Sequence, residues 1–211
     1  DSILGGYVFN PKEATFSLRK GPIFSNVILA DEINRAPAKT QSAMLEVMQE
    51  RQVTIEGETM AMEAPFIVLA TQNPLEHEGV YPLPQAQLDR FSMRLIVEHP
   101  SLEEETRILA LHRETMPIPS AVTDPAGVVA AQKACAMLTA SDDILDVIAR
   151  LVHATRDRED VQEGASPRVG LDLLRLGRAR ALLDGRQHVL PDDLKDLLIP
   201  VANRPESGGP S

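Results

Sequence analysis

An α/β domain built on a parallel sheet, followed by an all-helical domain, is what the sequence predicts. Three observations predict it. Two continuously apolar runs, Val27–Ala30 and Phe66–Ala70, each end abruptly in polar residues, "DE" and "TQN". Runs without polar alternation belong to strands covered on both faces, the habit of parallel sheets. A stretch with three prolines at 116–125, "MPIPSAVTDP", then breaks the chain, and beyond it only helical patterns are found.

Taken in order, "YVFNPKEATFSLRKG" (7–21) holds two short β-prone runs around a turn-rich break and reads as a hairpin. The apolar strand Val27–Ala30 follows. Pro37 opens a helix over 37–50, a position proline favours, and Met44, Leu45 and Met48 give it a buried face. "RQVTIEGETMAME" (51–63) alternates on either side of Glu56-Gly57, which predicts a second hairpin. The second apolar strand lies in "FIVLATQN" (66–73). "PLPQAQLDRF" (82–91) predicts a short helix, and "MRLIVEH" (93–99) a further strand. Ser101 and the acids after it suit a helix N-terminus. Helices are expected at about 125–138, 142–158, 167–184 and 191–203. The domain boundaries expected are an α/β part over 1–115, a linker over 116–125, a helical part over 126–205 and a tail over 206–211.

Bulk properties narrow the function classes. The chain has 211 residues and is 43% hydrophobic, enough for a real core. A net charge of −10 repels phosphate backbones, and Trp is absent, so nucleic acid is a poor partner. A single cysteine, Cys135, excludes an internal disulfide, and it reads as a small buried thiol. No apolar run is long enough to span a membrane and no signal peptide opens the chain, so a cytoplasmic setting is expected. The five histidines form no H-x-x-x-H or Cys/His cluster, and "EHEG" (76–79) reads as a solvated loop.

Ionised carboxylates are costly to bury, so an apolar strand ending in Asp31 and Glu32 must deliver them somewhere useful. In open parallel sheets ligands bind beyond the carboxyl ends of the strands. If the two apolar strands are neighbours, Glu32 and Asn73 line one crevice. Nucleotide hydrolysis uses such a set. One acid holds Mg²⁺ through water, a second polarises an attacking water, and an amide positions it. Arg90 in "QLDRF" and Arg168 in "GASPRVG" could stabilise charge building on phosphate oxygens. The plainer alternatives are solvated acids at a strand end and arginines in surface ion pairs.

From Ile3 to Pro200 the chain resembles a MoxR-type ATPase of the AAA+ class. "YVFNPKEATFSLRKGPIFSNVILADEINRAPAKTQSAMLE", "MQERQVTIEG", "FIVLATQNPLEHEGVYPLPQAQLDRF" and "GASPR" carry the resemblance. It implies a parallel-sheet core of the P-loop type with a helical lid, binding ATP and Mg²⁺. It also implies a ring, often hexameric, with chaperone-like work on client proteins and von Willebrand factor A-domain partners. By the same resemblance Asp31 and Glu32 match the Walker B acids, with Asp31 toward Mg²⁺. Asn73 matches sensor 1, Arg90 the arginine finger toward a neighbouring subunit, and Arg168 sensor 2. The two hairpins match the helix-2 insert and the pre-sensor-1 hairpin, which face the pore or the substrate in related rings.

One departure is large. No loop of the form GxxGxGK[ST] occurs in the 211 residues, and that loop supplies the backbone N–H groups and lysine that cradle phosphates. The α/β core is therefore expected to be incomplete at its N-terminus. The natural protein would be longer by one such segment, and this chain alone would be inactive. Two other functions remain in view: a non-hydrolysing adaptor on a degenerate ATPase domain, for which the missing loop speaks, and a DNA motor. "ERQVTIEGETMAME" disfavours the motor, with one Arg against four Glu.

Overall fold

A computed structural model describes residues 3–73, 81, 83–113, 118–156 and 164–202. The first hairpin pairs β1 (Gly5–Asn10) with β2 (Thr15–Lys20), antiparallel, from Gly5 opposite Lys20 to Asn10 opposite Thr15. Phe9 and Phe16 face each other across it with ring centroids 5.2 Å apart. Gly5 has φ +84°, and a Cβ there would lie 2.0 Å from the Arg19 carbonyl oxygen, so the close approach requires glycine.

The two apolar runs are neighbours. β3 (Val27–Ala30) pairs in parallel with β6 (Ile67–Ala70), Val27 opposite Ile67 and Ala30 opposite Ala70. Between them run a short 3-10 helix, Ile33–Arg35, then α1 (Ala38–Glu50), then the hairpin of β4 (Gln52–Ile55) and β5 (Glu58–Ala61). Pro37 sits one position earlier than expected, as the residue capping α1, and its carbonyl accepts from Thr40 and Gln41 N–H. The β4–β5 turn places Glu56 at φ 50° and Gly57 at φ 88°, the paired positive angles that match the twist of a two-residue hairpin.

Ile23, Ile28, Leu45, Val47, Val53 and Phe66 form the centre of a first core under this sheet and α1. Only one face of the parallel pair is covered by described residues. Ile28 is 9% exposed, whereas Val27, Leu29, Ile67 and Leu69 are each more than half exposed. The expected strand at 93–99 does not form. Val97 is 93% exposed, and Arg94 N–H donates to the carbonyl of Pro200 rather than to a strand. Apolar β-branched residues make a strand only where an edge is offered to them, and no described strand pairs here. The helix expected over 82–91 is confined to α2 (Gln85–Leu88). "EHEG" at 76–79 lies outside the described residues.

α3 (Leu102–Leu111) opens with a reciprocal cap: Ser101 Oγ accepts from Glu104 N–H, while the Glu104 carboxylate accepts from Ser101 N–H. Four helices follow: α4 (Pro125–Met137), α5 (Asp142–Arg156), α6 (Pro167–Leu183) and α7 (Pro191–Ala202). Ile148, Val152, Val169, Leu173, Leu194 and Val201 make a second core where α5, α6 and α7 meet. Gly177 lets α7 approach α6; a Cβ there would meet Leu194 Cδ2 at 3.0 Å and Val189 Cγ1 at 3.3 Å. Arg186 clamps the turn before α7, reaching Asp184 at 2.9 Å and the buried Asp193 through both carboxylate oxygens. Cys135, expected as a buried thiol, is half-buried in α4. Among the described residues no helix is long and apolar enough to cross a membrane.

Candidate functional site

Because β3 and β6 run parallel, the residues that follow each strand emerge at the same edge. Asp31 and Glu32 follow β3; Thr71, Gln72 and Asn73 follow β6. Thr71 ties the two exits together. Its N–H donates to Ala30 C=O at 3.0 Å and its carbonyl accepts from Ile33 N–H at 3.0 Å, which extends the ladder past the strand ends. Its hydroxyl donates to Asp31 Oδ1, and the same oxygen accepts Glu32 N–H at 2.9 Å.

Glu32 is held in the left-handed region, φ 48° and ψ 51°. A residue with a Cβ adopts that conformation at a cost of order 1–3 kcal/mol and keeps it only where its neighbours insist. The bonds from Glu32 N–H and Ile33 N–H to Thr71 supply that insistence. The consequence is a sharp turn that sends the chain into the 3-10 helix and leaves the Glu32 side chain 40% exposed. There its carboxylate meets Arg35 Nη1 at 3.1 Å. An exposed pair of this kind is worth little, so the carboxylate can leave it cheaply. Asn73 lies at the same edge, half-buried, two residues beyond Thr71.

The 3-10 helix is wired to the rest of the site by a buried amide. Gln41 Nε2 donates to the carbonyls of Ile33 and Tyr81, each at 3.0 Å, and Tyr81 N–H donates to Asn34 C=O at 2.6 Å. Tyr81 leads to Leu83, α2 and the turn that carries Asp89 and Arg90. Leu83 and Leu88 are buried and anchor that segment in the first core. Arg90 is half-buried and lines an open groove against α1 with Ser42, Glu46, Glu50 and Gln87. Arg168, the second residue of α6, donates from Nη1 to Asp89 C=O at 3.4 Å.

The five residues singled out in the sequence therefore fall into two groups. Asp31, Glu32 and Asn73 share the carboxyl edge of the sheet; Arg168 is bonded to the carbonyl of Asp89, the residue before Arg90, whose own side chain lies in the groove against α1. Three contributors escaped the sequence reading: Thr71, Gln41 and Asp89. Thr71 carried a readable signal, since it is the polar residue opposite Asp31 once the two strands are aligned in parallel.

For Mg²⁺ the donor set is suitable. Magnesium binds one or two carboxylates and otherwise waters and phosphate oxygens, so a closed cage is not required. Asp31 offers an exposed carboxylate at a sheet edge, and no group of three or more His, Cys, Asp or Glu forms a cage among the described residues. Among the described residues no glycine-rich loop with a following Lys-Ser/Thr is found to hold the inner phosphates.

Comparisons with known proteins agree with this architecture. Residues 1–93 match the family described as "ATPase family associated with various cellular activities (AAA)", and residues 153–204 match the "AAA lid domain". The chain is 44% identical over 197 residues to "Uncharacterized protein YeaC" of Bacillus subtilis, a match covering 92% of this chain and 62% of that protein. It is 43% identical over 208 residues to "Chaperone MoxR1" of Mycobacterium tuberculosis, covering 94% of this chain and 55% of that protein. A crystallised ATPase candidate from Cytophaga hutchinsonii superposes with a TM-score of 0.86 at 38% identity, covering 96% of this chain and 64% of that one. The chain thus spans little more than half the length of the curated relatives it matches.

Proposed function

The chain belongs to the MoxR family of AAA+ ATPases, with an AAA core and an AAA lid, and from that premise we propose that it is the catalytic part of an ATP-hydrolysing, chaperone-like machine. The observation that supports this most directly is the shared edge of β3 and β6. There Thr71 holds Asp31 by its side chain and Glu32 by its backbone.

In this reading Asp31 would hold the metal, and Glu32 leaves Arg35 to accept a proton from the attacking water. Asn73 fixes that water's position. Bound Mg²⁺ would neutralise charge on the phosphate oxygens. Arg168 reaches the terminal phosphate from the lid, and Arg90 is offered to the nucleotide of an adjacent copy in a ring, hexameric in the simplest case. Client proteins, with von Willebrand factor A-domain proteins as partners, are the substrates this family membership suggests.

The test is Glu32→Gln in the complete protein. It keeps the size and polarity of the side chain and removes the proton acceptor. Nucleotide binding should be retained and turnover lost by at least about a hundredfold. Normal hydrolysis by the variant would remove Glu32 from the mechanism.

A further inference from the structure

Arg90 is bracketed by contacts to the helical domain. On its N-terminal side both carboxylate oxygens of Asp89 lie 2.9 Å from Ser166 Oγ, and Asp89 C=O accepts from Arg168. On its C-terminal side Met93 packs against the second core, and Arg94 N–H donates to Pro200 C=O at 2.7 Å. These partners lie about eighty to a hundred residues away along the chain and belong to α6 and α7.

Ser166 is the capping residue of α6, yet its hydroxyl makes no bond to the first turn of that helix. A serine at this position ordinarily accepts from a backbone N–H. Here the hydroxyl is turned to Asp89 instead. The carboxylate of Asp89 thereby sits at the positive end of α6, where an anion is favoured.

We propose that Asp89 and Ser166 form a latch that makes Arg90 follow the helical domain, so that the state sensed by Arg168 governs whether Arg90 is in place for the neighbouring copy. The proposal rests on the roles given above to Arg90 and Arg168. Asp89 and Ser166 are positioning residues, acting through Arg90. The arm is short, since Asp89 is the residue before Arg90. A hydroxyl–carboxylate bond is charge-assisted, so a shift of α6 is passed on rather than absorbed. Arg168 holds the carbonyl of the same residue, so a rearrangement of its guanidinium changes the latch directly.

The experiment uses Ser166→Ala, Ser166→Thr and Asp89→Asn in the complete protein, alone and combined with Arg90→Ala. Ser166→Ala should lower kcat about tenfold while KM for ATP stays within twofold, and Ser166→Thr should recover most of the loss. On the Arg90→Ala background Ser166→Ala should cost nothing more, because it acts through that arginine. Wild-type kcat in Ser166→Ala, or the same loss with and without Arg90, would overturn the latch. Should Ser166→Ala fail to assemble, Asp89→Asn is read by the same criteria. Backbone hydrogen exchange at 88–91 gives a reading that needs no turnover. Faster exchange there in Ser166→Ala supports the latch even if the wild type proves not to hydrolyse ATP, and unchanged exchange refutes it even if the wild type does.

Discussion

Thr71 donates its hydroxyl proton to Asp31 across the β3–β6 pair, one residue beyond the last paired positions of the two strands. The same oxygen accepts Glu32 N–H, so a single side chain orients one acid and fixes the backbone of the next.

Thr71→Val keeps the shape of the side chain and removes both bonds. The Asp31 carboxylate would lose its orientation and the strained Glu32 turn one of its two restraints. Activity of the complete protein should fall about ten- to a hundredfold, with a smaller change in stability because the site is exposed. Thr71→Ser, which keeps the hydroxyl, should stay close to wild type. Steady-state ATP hydrolysis alongside thermal melts separates the two effects. Equal rates in the valine and serine variants would mean that Thr71 has no part in orienting the acids.

Arg90 lies on the α1 side of the molecule, in a groove with Glu46 and Glu50, whereas Asp31 and Glu32 lie at the sheet edge. If it serves an adjacent copy, two strongly impaired variants should rescue each other. Arg90→Ala subunits bring an intact Glu32, and Glu32→Gln subunits bring an intact Arg90. A one-to-one mixture should recover about one quarter of wild-type hydrolysis, the statistical share of sites with both groups. No recovery in mixtures that demonstrably co-assemble would confine Arg90 to its own subunit.

What could be read from the sequence was local. The apolar runs ending in "DE" and "TQN", the Glu56-Gly57 turn and the spacing of Met44, Leu45 and Met48 each report on their own neighbourhood, and β3, β6, the β4–β5 hairpin and α1 lie where those signals put them. The strand expected in "MRLIVEH" failed because propensity cannot supply a pairing partner; Leu95, Ile96 and Val97 are β-prone yet exposed. Thr71 was passed over because its importance depends on the register of a strand forty residues away. Asp89 and Ser166 were invisible for the same reason at greater range, since the bond joins residues 77 apart and neither belongs to a recognisable pair.

The packing of α6 on α7 gives a stability prediction. Gly177 is buried, and even a methyl group would stand 3.0 Å from Leu194. Gly177→Val adds two more carbons and a β-branch, so the helices must part. A loss of about 2–3 kcal/mol is expected, seen as a lower urea midpoint. Gly177→Ala should be much milder, because the gain in helix propensity of about 1 kcal/mol offsets part of the crowding. A valine variant as stable as the alanine one would show that α7 moves away freely.

The clamp before α7 should make the helical domain sensitive to acid. The Arg186 guanidinium, and then Leu190 N–H, hold the Asp193 carboxyl below the usual aspartate range, against burial pushing it up. A group with a lowered folded pKa stabilises the fold fully above its unfolded value of about 3.9, and that contribution disappears as pH falls through the lowered folded value. Asp193→Asn removes the charge and should cost about 2 kcal/mol at pH 7. The gap between wild type and variant should then narrow steadily below about pH 4. Urea midpoints measured at pH 7, 4 and 3 report it, with the comparison to the variant cancelling the other carboxylates. A gap that stays constant down to pH 3 would mean that the Asp193–Arg186 contact carries none of the fold's acid sensitivity.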